Sequence, residues 1–267
     1  MNLGLAGKVA IITGTNNPQG IGATTAFALA REGVKLALGY KKIPHEYDES
    51  KTGFDGFDRY FKANGGDAAE VEERLRSMNA ECFFVEGDVM DEQYVKLIFD
   101  RAIERFGKVD ILVNNAADCD YDDTIETVTA NAIGNTLGVN VRGTLLMMRE
   151  FVKRRGENGR IINLSTDAAQ VMAGQIAYGA SKAAVEALTR SVAIEVGKYG
   201  ITVNCVAPGP TQTGWMDEEL TNSVLPQIPL GKLIAPQDIA DAIVFLASER
   251  AAMITGQVIK VSGGHAL

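Results

Sequence analysis

The sequence predicts an α/β fold, a single doubly wound parallel sheet of about seven strands with helices on both faces. Three observations lead there. Short runs rich in Val and Ile recur along the chain, segments of helical spacing separate them, and a glycine-rich turn joins the first run to the first helical segment. The runs cover residues 8–13, 34–39, 82–85, 109–113, 160–164, 201–206 and 257–261, and their near-continuous apolar character predicts strands buried on both faces. Residues 21–31, 92–106 and 178–196 place apolar side chains three and four apart, as helices crossing over a parallel sheet do. In such sheets ligands sit beyond the carboxyl ends of the strands, so the residues just after each run are where chemistry is sought. Two stretches interrupt the alternation within one expected domain, 1–267. Residues 40–66 are polar and dotted with Tyr47, Phe54, Phe57, Tyr60 and Phe61, while residues 208–236 hold five of the seven prolines. Loops of that length are expected to act as lids or excursions.

Composition removes several functional classes. A formal net charge of −8 and a pI of about 4.9 repel a polyanion, which argues against nucleic acid as a partner. No apolar run approaches the roughly 20 residues of a membrane span, and no charged leader precedes the first strand, so no membrane partner is expected. Cys82, Cys119 and Cys205 are an odd set in no disulfide or metal spacing, as in a reducing compartment, and the cytoplasm is the expected location. The acidic run from Asp118 to Asp123 alternates carboxylates like the opening of a calcium loop. However, it has Asp123 where that loop needs Gly and Thr129 where it needs Glu, so no metal site is predicted.

The turn after the first strand runs Thr13-Gly14, then five residues, then Gly20-Ile21-Gly22. Glycines let backbone approach a pyrophosphate closely, and the helix start beyond them offers unpaired N–H groups. Gly14, Asn17, Gly20, Ile21 and Gly22 are its expected ligand contacts. Farther on, Tyr178 and Lys182 stand four apart at the start of a helical segment, hence on one face one turn apart. A neighbouring ammonium favours the phenolate and is expected to lower the Tyr178 pKa, which makes the hydroxyl a proton donor and acceptor near neutrality. Ser165, thirteen residues earlier at a strand end, is placed to donate to a substrate oxygen.

These motifs together resemble the short-chain dehydrogenase/reductase family. Thr13-Gly14 to Gly20-Ile21-Gly22 looks like the family's Thr-Gly-x3-Gly-x-Gly with two residues inserted, and Ser165, Tyr178 and Lys182 match its catalytic triad in type, order and spacing. The resemblance implies an NAD(P)-binding Rossmann domain and hydride transfer between a nicotinamide and a small carbonyl or alcohol substrate. It also implies that Asn140 is a fourth catalytic residue, bending its helix and holding a water near the lysine. Asn115, Ala116 and Ala117 resemble the segment that passes the ribose, Asp88-Val89 the pair that meets the adenine, and Pro208-Gly209 with Thr211 and Thr213 the segment over the nicotinamide. Tyr178 and Lys182 are expected to touch the cofactor as well. Tyr40 occupies the position where an Asp selects NAD; with Lys41 and Lys42 beside it, NADP(H) is expected to be favoured over NAD(H). The aromatic insertion is expected either to pack over the adenosine end or on a neighbour, or to lie as an unpacked excursion. Family members commonly pair the helices before Phe151 and after Tyr178, so a homo-oligomer, tetramer or dimer, is implied. A specific alternative is 3-oxoacyl-carrier-protein reductase, with Lys153-Arg154-Arg155 docking the acidic carrier, although Tyr199 replaces a second docking arginine. A non-catalytic nicotinamide-binding sensor is the competing class.

Overall fold

All five residues of β1, Val9–Thr13, are buried. A strand buried throughout must be covered on both faces, and parity does this: Ala10 and Ile12 enter one apolar core while Ile11 enters the other. The structure is a computed structural model that describes residues 2–120 and 123–266. Six strands follow β1: β2 (Lys35–Tyr40), β3 (Cys82–Glu86), β4 (Ile111–Asn114), β5 (Arg160–Leu164), β6 (Thr202–Pro208) and β7 (Val258–Val261). They form one parallel seven-stranded sheet in the order β3-β2-β1-β4-β5-β6-β7. Each expected strand is present, β5 with its expected ends and the others with an end moved by a residue or two.

The helices are α1 (Ile21–Arg31), α2 (Phe57–Gly65), α3 (Ala69–Ser77), α4 (Glu92–Phe106), α5 (Ala130–Leu137), α6 (Thr144–Lys153), α7 (Ile176–Val196), α8 (Glu218–Val224) and α9 (Pro236–Ala247). Phe27 and Leu29 of α1, Leu75 of α3 and Ile243 of α9 fill the core on one face, and Ile98, Phe99, Met147, Phe151 and Val196 of α4, α6 and α7 fill the other. Each fully buried Leu, Ile or Phe contributes about 1.5–3 kcal/mol, so stability rests in this sandwich and the loops at the strand ends are free to serve a ligand. The expected α4 boundaries hold because the Asp91 carboxylate accepts from Gln93 N at the start and Gly107 takes a left-handed φ of 83° at the end.

One expectation needs correcting. β3 and β7 are sheet edges, and most of their residues are only partly buried; an apolar run does not by itself separate an edge from a centre. The chain builds outward through β2 and β3 and then returns to add β4 on the other side of β1. That reversal opens a crevice at the carboxyl ends of β1 and β4, where an open α/β sheet takes its ligand.

Candidate active site

The crevice begins with a seam between those two strand ends. Thr13 Oγ1 accepts from the backbone N–H of Asn115 (3.1 Å) and of Ala116 (3.0 Å), while Asn115 Nδ2 donates to the carbonyls of Thr13 and Gly14, both at 2.9 Å. The Asn115 side chain is therefore spent on the turn. Gly14 has φ +73°, and a Cβ on Gly22 would lie 2.2 Å from the Gly14 carbonyl oxygen, so only glycine lets α1 start this close to β1. Gly20 caps α1 without a side-chain hydrogen bond, and the first turn carries no acidic residue. Gly20 and Ile21 at that start line the crevice, where the unpaired N–H groups of a helix start favour an anion. Two asparagines of the turn have work of their own. Buried Asn16 donates from Nδ2 to the carbonyls of Asn64 (2.8 Å) and Gly66 (3.2 Å), and buried Asn17 donates to the Thr213 carbonyl at 3.3 Å.

A cavity of about 650 Å³ occupies the crevice, in the size range of ligand pockets. Every residue expected to meet the cofactor lines it except Gly22 and Lys42. Gly22 stands behind Gly14, and Lys42 Nζ lies 3.5 Å from Glu86 Oε2. Lys41 Nζ pairs with Asp88 Oδ2 at 2.6 Å. The two ammonium groups expected to be free for a phosphate thus each have a carboxylate partner, supplied from β3 and the turn after it. At the other end the cavity reaches Ser165, Tyr178 and Lys182, all in its lining; Asn140 is one layer behind.

Local bonding sets the start of α7 and hence Tyr178. The buried Asp123 carboxylate accepts from the N–H groups of Ala177 (3.0 Å) and Tyr178 (2.9 Å), capping the helix and satisfying two of its orphan donors. The sequence reading placed Asp123 in an acidic loop and missed this role; Tyr121 and Asp122 of that loop lie outside the described residues. Farther along, Asn114 Nδ2 donates to Asn163 Oδ1 (2.8 Å) and Asn163 Nδ2 to Thr189 Oγ1 (2.9 Å), a buried polar ladder fastening α7 to β4 and β5.

Lys182 Nζ lies 5.4 Å from the Tyr178 ring centroid and donates to the Leu164 carbonyl at 3.0 Å. Burial pushes Lys182 down to about 8, and burial, with smaller effects from Cys119 and Tyr60, raises Tyr178. The expected lowering of Tyr178 by the ammonium is not what this site gives: spacing puts the two groups side by side, but desolvation outweighs their attraction. Tyr178 therefore holds its proton at neutral pH. Ser165 Oγ is 2.9 Å from Glu186 Oε1. Cys119, pushed up to about 12 by burial and then by Asp118, is a thiol at neutral pH and not a nucleophile.

Asn140 sits in a π-helical turn, Gly138–Gly143, between α5 and α6. Its Nδ2 donates to the Asp118 carbonyl and to Ser181 Oγ, both at 2.9 Å, and its Oδ1 accepts from Asp118 N at 2.8 Å. It ties the loop after β4 to α7 instead of bonding its own helix, and the widened turn is the helix irregularity the resemblance implied.

Of the courses expected of it, the insertion does not take that of an unpacked excursion. The Gly56 N–H donates to the Gly214 carbonyl at 2.8 Å, Phe57 packs on Trp215 with ring centroids 6.2 Å apart, and Ile43, Tyr60 and Asn64 line the cavity. It bridges the glycine turn and the 208–236 loop, with Tyr60 near enough to act electrostatically on Tyr178. Lys153, Arg154 and Arg155 also have partners: Lys153 lies 3.9 Å from Glu150, Arg154 pairs with Glu150 and Asp100, and Arg155 covers the Tyr199 ring at 3.8 Å. Among the described residues no helix is long and apolar enough to cross a membrane.

Comparison with known proteins agrees in family and fold. A family model described as enoyl-(acyl carrier protein) reductase matches residues 57–266. The chain is 36% identical to an NADPH-dependent aldehyde reductase of Arabidopsis thaliana, over 97% of this chain and 94% of that one. It is 33% identical to a 3-oxoacyl-(acyl-carrier-protein) reductase of Staphylococcus aureus, over 96% and 97%. A blue fluorescent protein from a metagenomic library, solved in complex with NADPH, superposes with a TM-score of 0.82 at 29% identity over the full length of both chains.

Proposed function

The chain belongs to the short-chain dehydrogenase/reductase family of NAD(P)-dependent oxidoreductases, and on that footing we propose that it reduces a small carbonyl compound with Tyr178 as the proton donor. The observation that carries this reading is the partly buried, proton-holding Tyr178 beside Lys182 at the reacting end of the cavity. The glycine turn and the bare start of α1 fit a pyrophosphate. A bound dihydronicotinamide would supply the hydride to the carbonyl carbon, whose π pair moves onto oxygen. Tyr178 gives its proton to that oxygen, and the Lys182 ammonium stabilises the phenolate left behind. Ser165 steadies the same oxygen, and Asn140 holds the loop after β4 against α7.

Within this proposal NADP(H) is favoured over NAD(H). Lys41 stands at the mouth of the adenosine end, and both the Arabidopsis relative and the metagenomic structure are NADPH proteins by name. A 2′-phosphate would draw Lys41 away from Asp88, replacing one charge-assisted bond by another. A charge-assisted hydrogen bond is worth about 1.5–3 kcal/mol, so Lys41→Ala is expected to cut the NADPH-over-NADH ratio of kcat/KM by roughly tenfold. An unchanged ratio removes the preference from Lys41.

Tyr60, Met172, Trp215 and Val224 give the substrate end an apolar and aromatic wall, which suits ketones with hydrophobic substituents. The test is a panel of ketones, sugars and acyl thioesters assayed with both nicotinamides. Turnover confined to acyl thioesters would favour the carrier-protein alternative, against which the internal pairing of Lys153, Arg154 and Arg155 weighs. Partly exposed Leu145 on α6 and exposed Ile194 on α7 support a homo-oligomer built through those helices, and three free cysteines support a reducing, cytoplasmic setting.

A further inference from the structure

Two titratable side chains outside the Ser165, Tyr178 and Lys182 constellation meet in the same cavity. His265 Nδ1 lies 2.8 Å from Asp167 Oδ2, across 98 positions of sequence, and both residues line the cavity. The Asp167 side chain is 2% exposed and that of His265 21%, so the carboxylate is sealed behind a ring that ligands can reach. Asp167 stands in the loop after β5, two residues past Ser165, and its N–H donates to the Pro208 carbonyl at 2.9 Å.

The backbone on both sides holds the pair in place. Just past β7, Gly263 and Gly264 take positive φ values of 63° and 93°, which residues with side chains rarely adopt. They turn the chain so that the His265 N–H donates to the Ser262 carbonyl at 3.1 Å, and the Gly263 carbonyl accepts from the Leu230 N–H at 3.0 Å. A Cβ on Gly209 would come 3.1 Å from Asp167 Oδ2 and 2.8 Å from the Ser262 Cβ, so the pair lies against the segment that the resemblance implies over the nicotinamide. Burial raises the Asp167 carboxyl, and the hydrogen bond with His265 opposes the rise. Among the described residues Nε2 of His265 forms no hydrogen bond. A tie that served only to fasten the turn after β7 has no need of a ring open to the cavity.

We propose that His265, oriented by Asp167, is a specificity-determining residue whose Nε2 accepts a hydrogen bond from a substrate hydroxyl, so that the substrate is an α- or β-hydroxy ketone. The inference rests on reading the cavity as a carbonyl-reducing site. An uncharged imidazole has one N–H and one lone pair. The buried carboxylate takes the N–H at Nδ1 and leaves the lone pair at Nε2. Only Thr166 separates Asp167 from Ser165, so the group recognised stands close to the carbonyl that Ser165 meets. Charge selects a neutral donor over an anion, because Asp118 and Asp167 both line the cavity and the Lys182 ammonium is committed to the Leu164 carbonyl. The hydroxyl lies at the pair, and the rest of the substrate lies against the wall of Met172 and Trp215.

The test measures kcat/KM with NADPH at about pH 8, above the ordinary imidazole range. Two pairs of probes are used: α-hydroxyacetophenone beside α-methoxyacetophenone, and β-hydroxypropiophenone beside β-methoxypropiophenone. Each ether keeps the oxygen and its inductive pull but lacks the donor. The wild type is expected to prefer the hydroxyl member of at least one pair by about tenfold, the worth of one hydrogen bond. His265→Leu is expected to erase that preference with the rate on the ether kept within about twofold, and His265→Gln, whose amide oxygen can stand in for Nε2, to keep part of it. Because the ratio compares two substrates on one protein, any loss of folded enzyme cancels from it. A wild type without preference in either pair overturns the proposal, as does a His265→Leu variant that keeps the preference, whether or not its rates or its NADPH affinity fall.

The chain has two histidines, His45 and His265, so ¹⁵N-histidine NMR of the NADP⁺ complex reads Nε2 without turnover. A lone-pair Nε2 resonance, absent from His265→Leu, that shifts with a hydroxy ketone and not with its ether supports the recognition; a protonated Nε2, or a shift indifferent to the hydroxyl, overturns it. If no probe is turned over while the resonance behaves as expected, the carbonyl-reducing assignment fails and the hydroxyl site stands.

Discussion

Tyr178→Phe is expected to lower kcat for carbonyl reduction by about 10²–10⁴-fold, the usual contribution of a positioned general acid, with NADPH affinity changed by less than about twofold because the lost hydroxyl acts on the transition state. The substitution removes one hydroxyl and leaves the ring. Asp123 still caps α7 through the backbone N–H groups of residues 177 and 178, and Lys182 remains bonded to the Leu164 carbonyl, so the cavity keeps its shape. What disappears is the proton that burial holds on Tyr178. Single-turnover reduction followed at the nicotinamide absorbance, beside a fluorescence titration of NADPH, separates the two effects. Turnover retained within tenfold would exclude Tyr178 as the donor, and weakened NADPH binding without loss of kcat would make it a cofactor contact only.

The parts of this architecture that were legible in the sequence are those written in local spacing. β5, α1 and α4 coincide with expected segments because their signals, an apolar run or a 3.6-residue repeat with an Asp at the start and a Gly at the end, lie inside the segment itself. The glycine turn and the Tyr178–Lys182 spacing are local in the same sense. The missing parts depend on partners far away in sequence. Asp123 meets residues 54 and 55 positions onward, Asn16 meets the insertion 48 positions onward, and Lys41 meets Asp88 47 positions onward. Charge shows the same division. The sequence shows that a lysine stands four residues from a tyrosine, but burial, which decides both pKa values, comes from tertiary packing over the pair.

Lys182 brings activity at the expense of stability, and Lys182→Met is expected to show both. In the folded protein burial brings its pKa from the ordinary 10.5 to about 8. Below pH 8 both folded and unfolded chains hold the proton, and the full penalty applies; a difference of about 2.5 units corresponds to roughly 3 kcal/mol. Between about pH 8 and 10.5 the unfolded chain binds more protons than the folded one, so wild-type stability rises with pH across that window relative to a variant without the group. Above it the penalty is gone. Methionine keeps most of the apolar stem and removes the charge, but it leaves the Leu164 carbonyl without the Lys182 donor, which costs about 1–3 kcal/mol. The net expectation at pH 7 is a gain of about 1–2 kcal/mol, or a melting temperature higher by roughly 2–6 °C, together with a loss of kcat of at least about a hundredfold as the phenolate loses its counter-charge. Near pH 10.5 the order reverses and the wild type melts higher, because only the lost hydrogen bond then separates the two proteins. Thermal denaturation at the two pH values reads the reversal directly, since other titrating groups are common to both chains and cancel. A variant destabilised to the same extent at both would mean that Lys182 is held by its contacts alone, without a penalty for its buried charge.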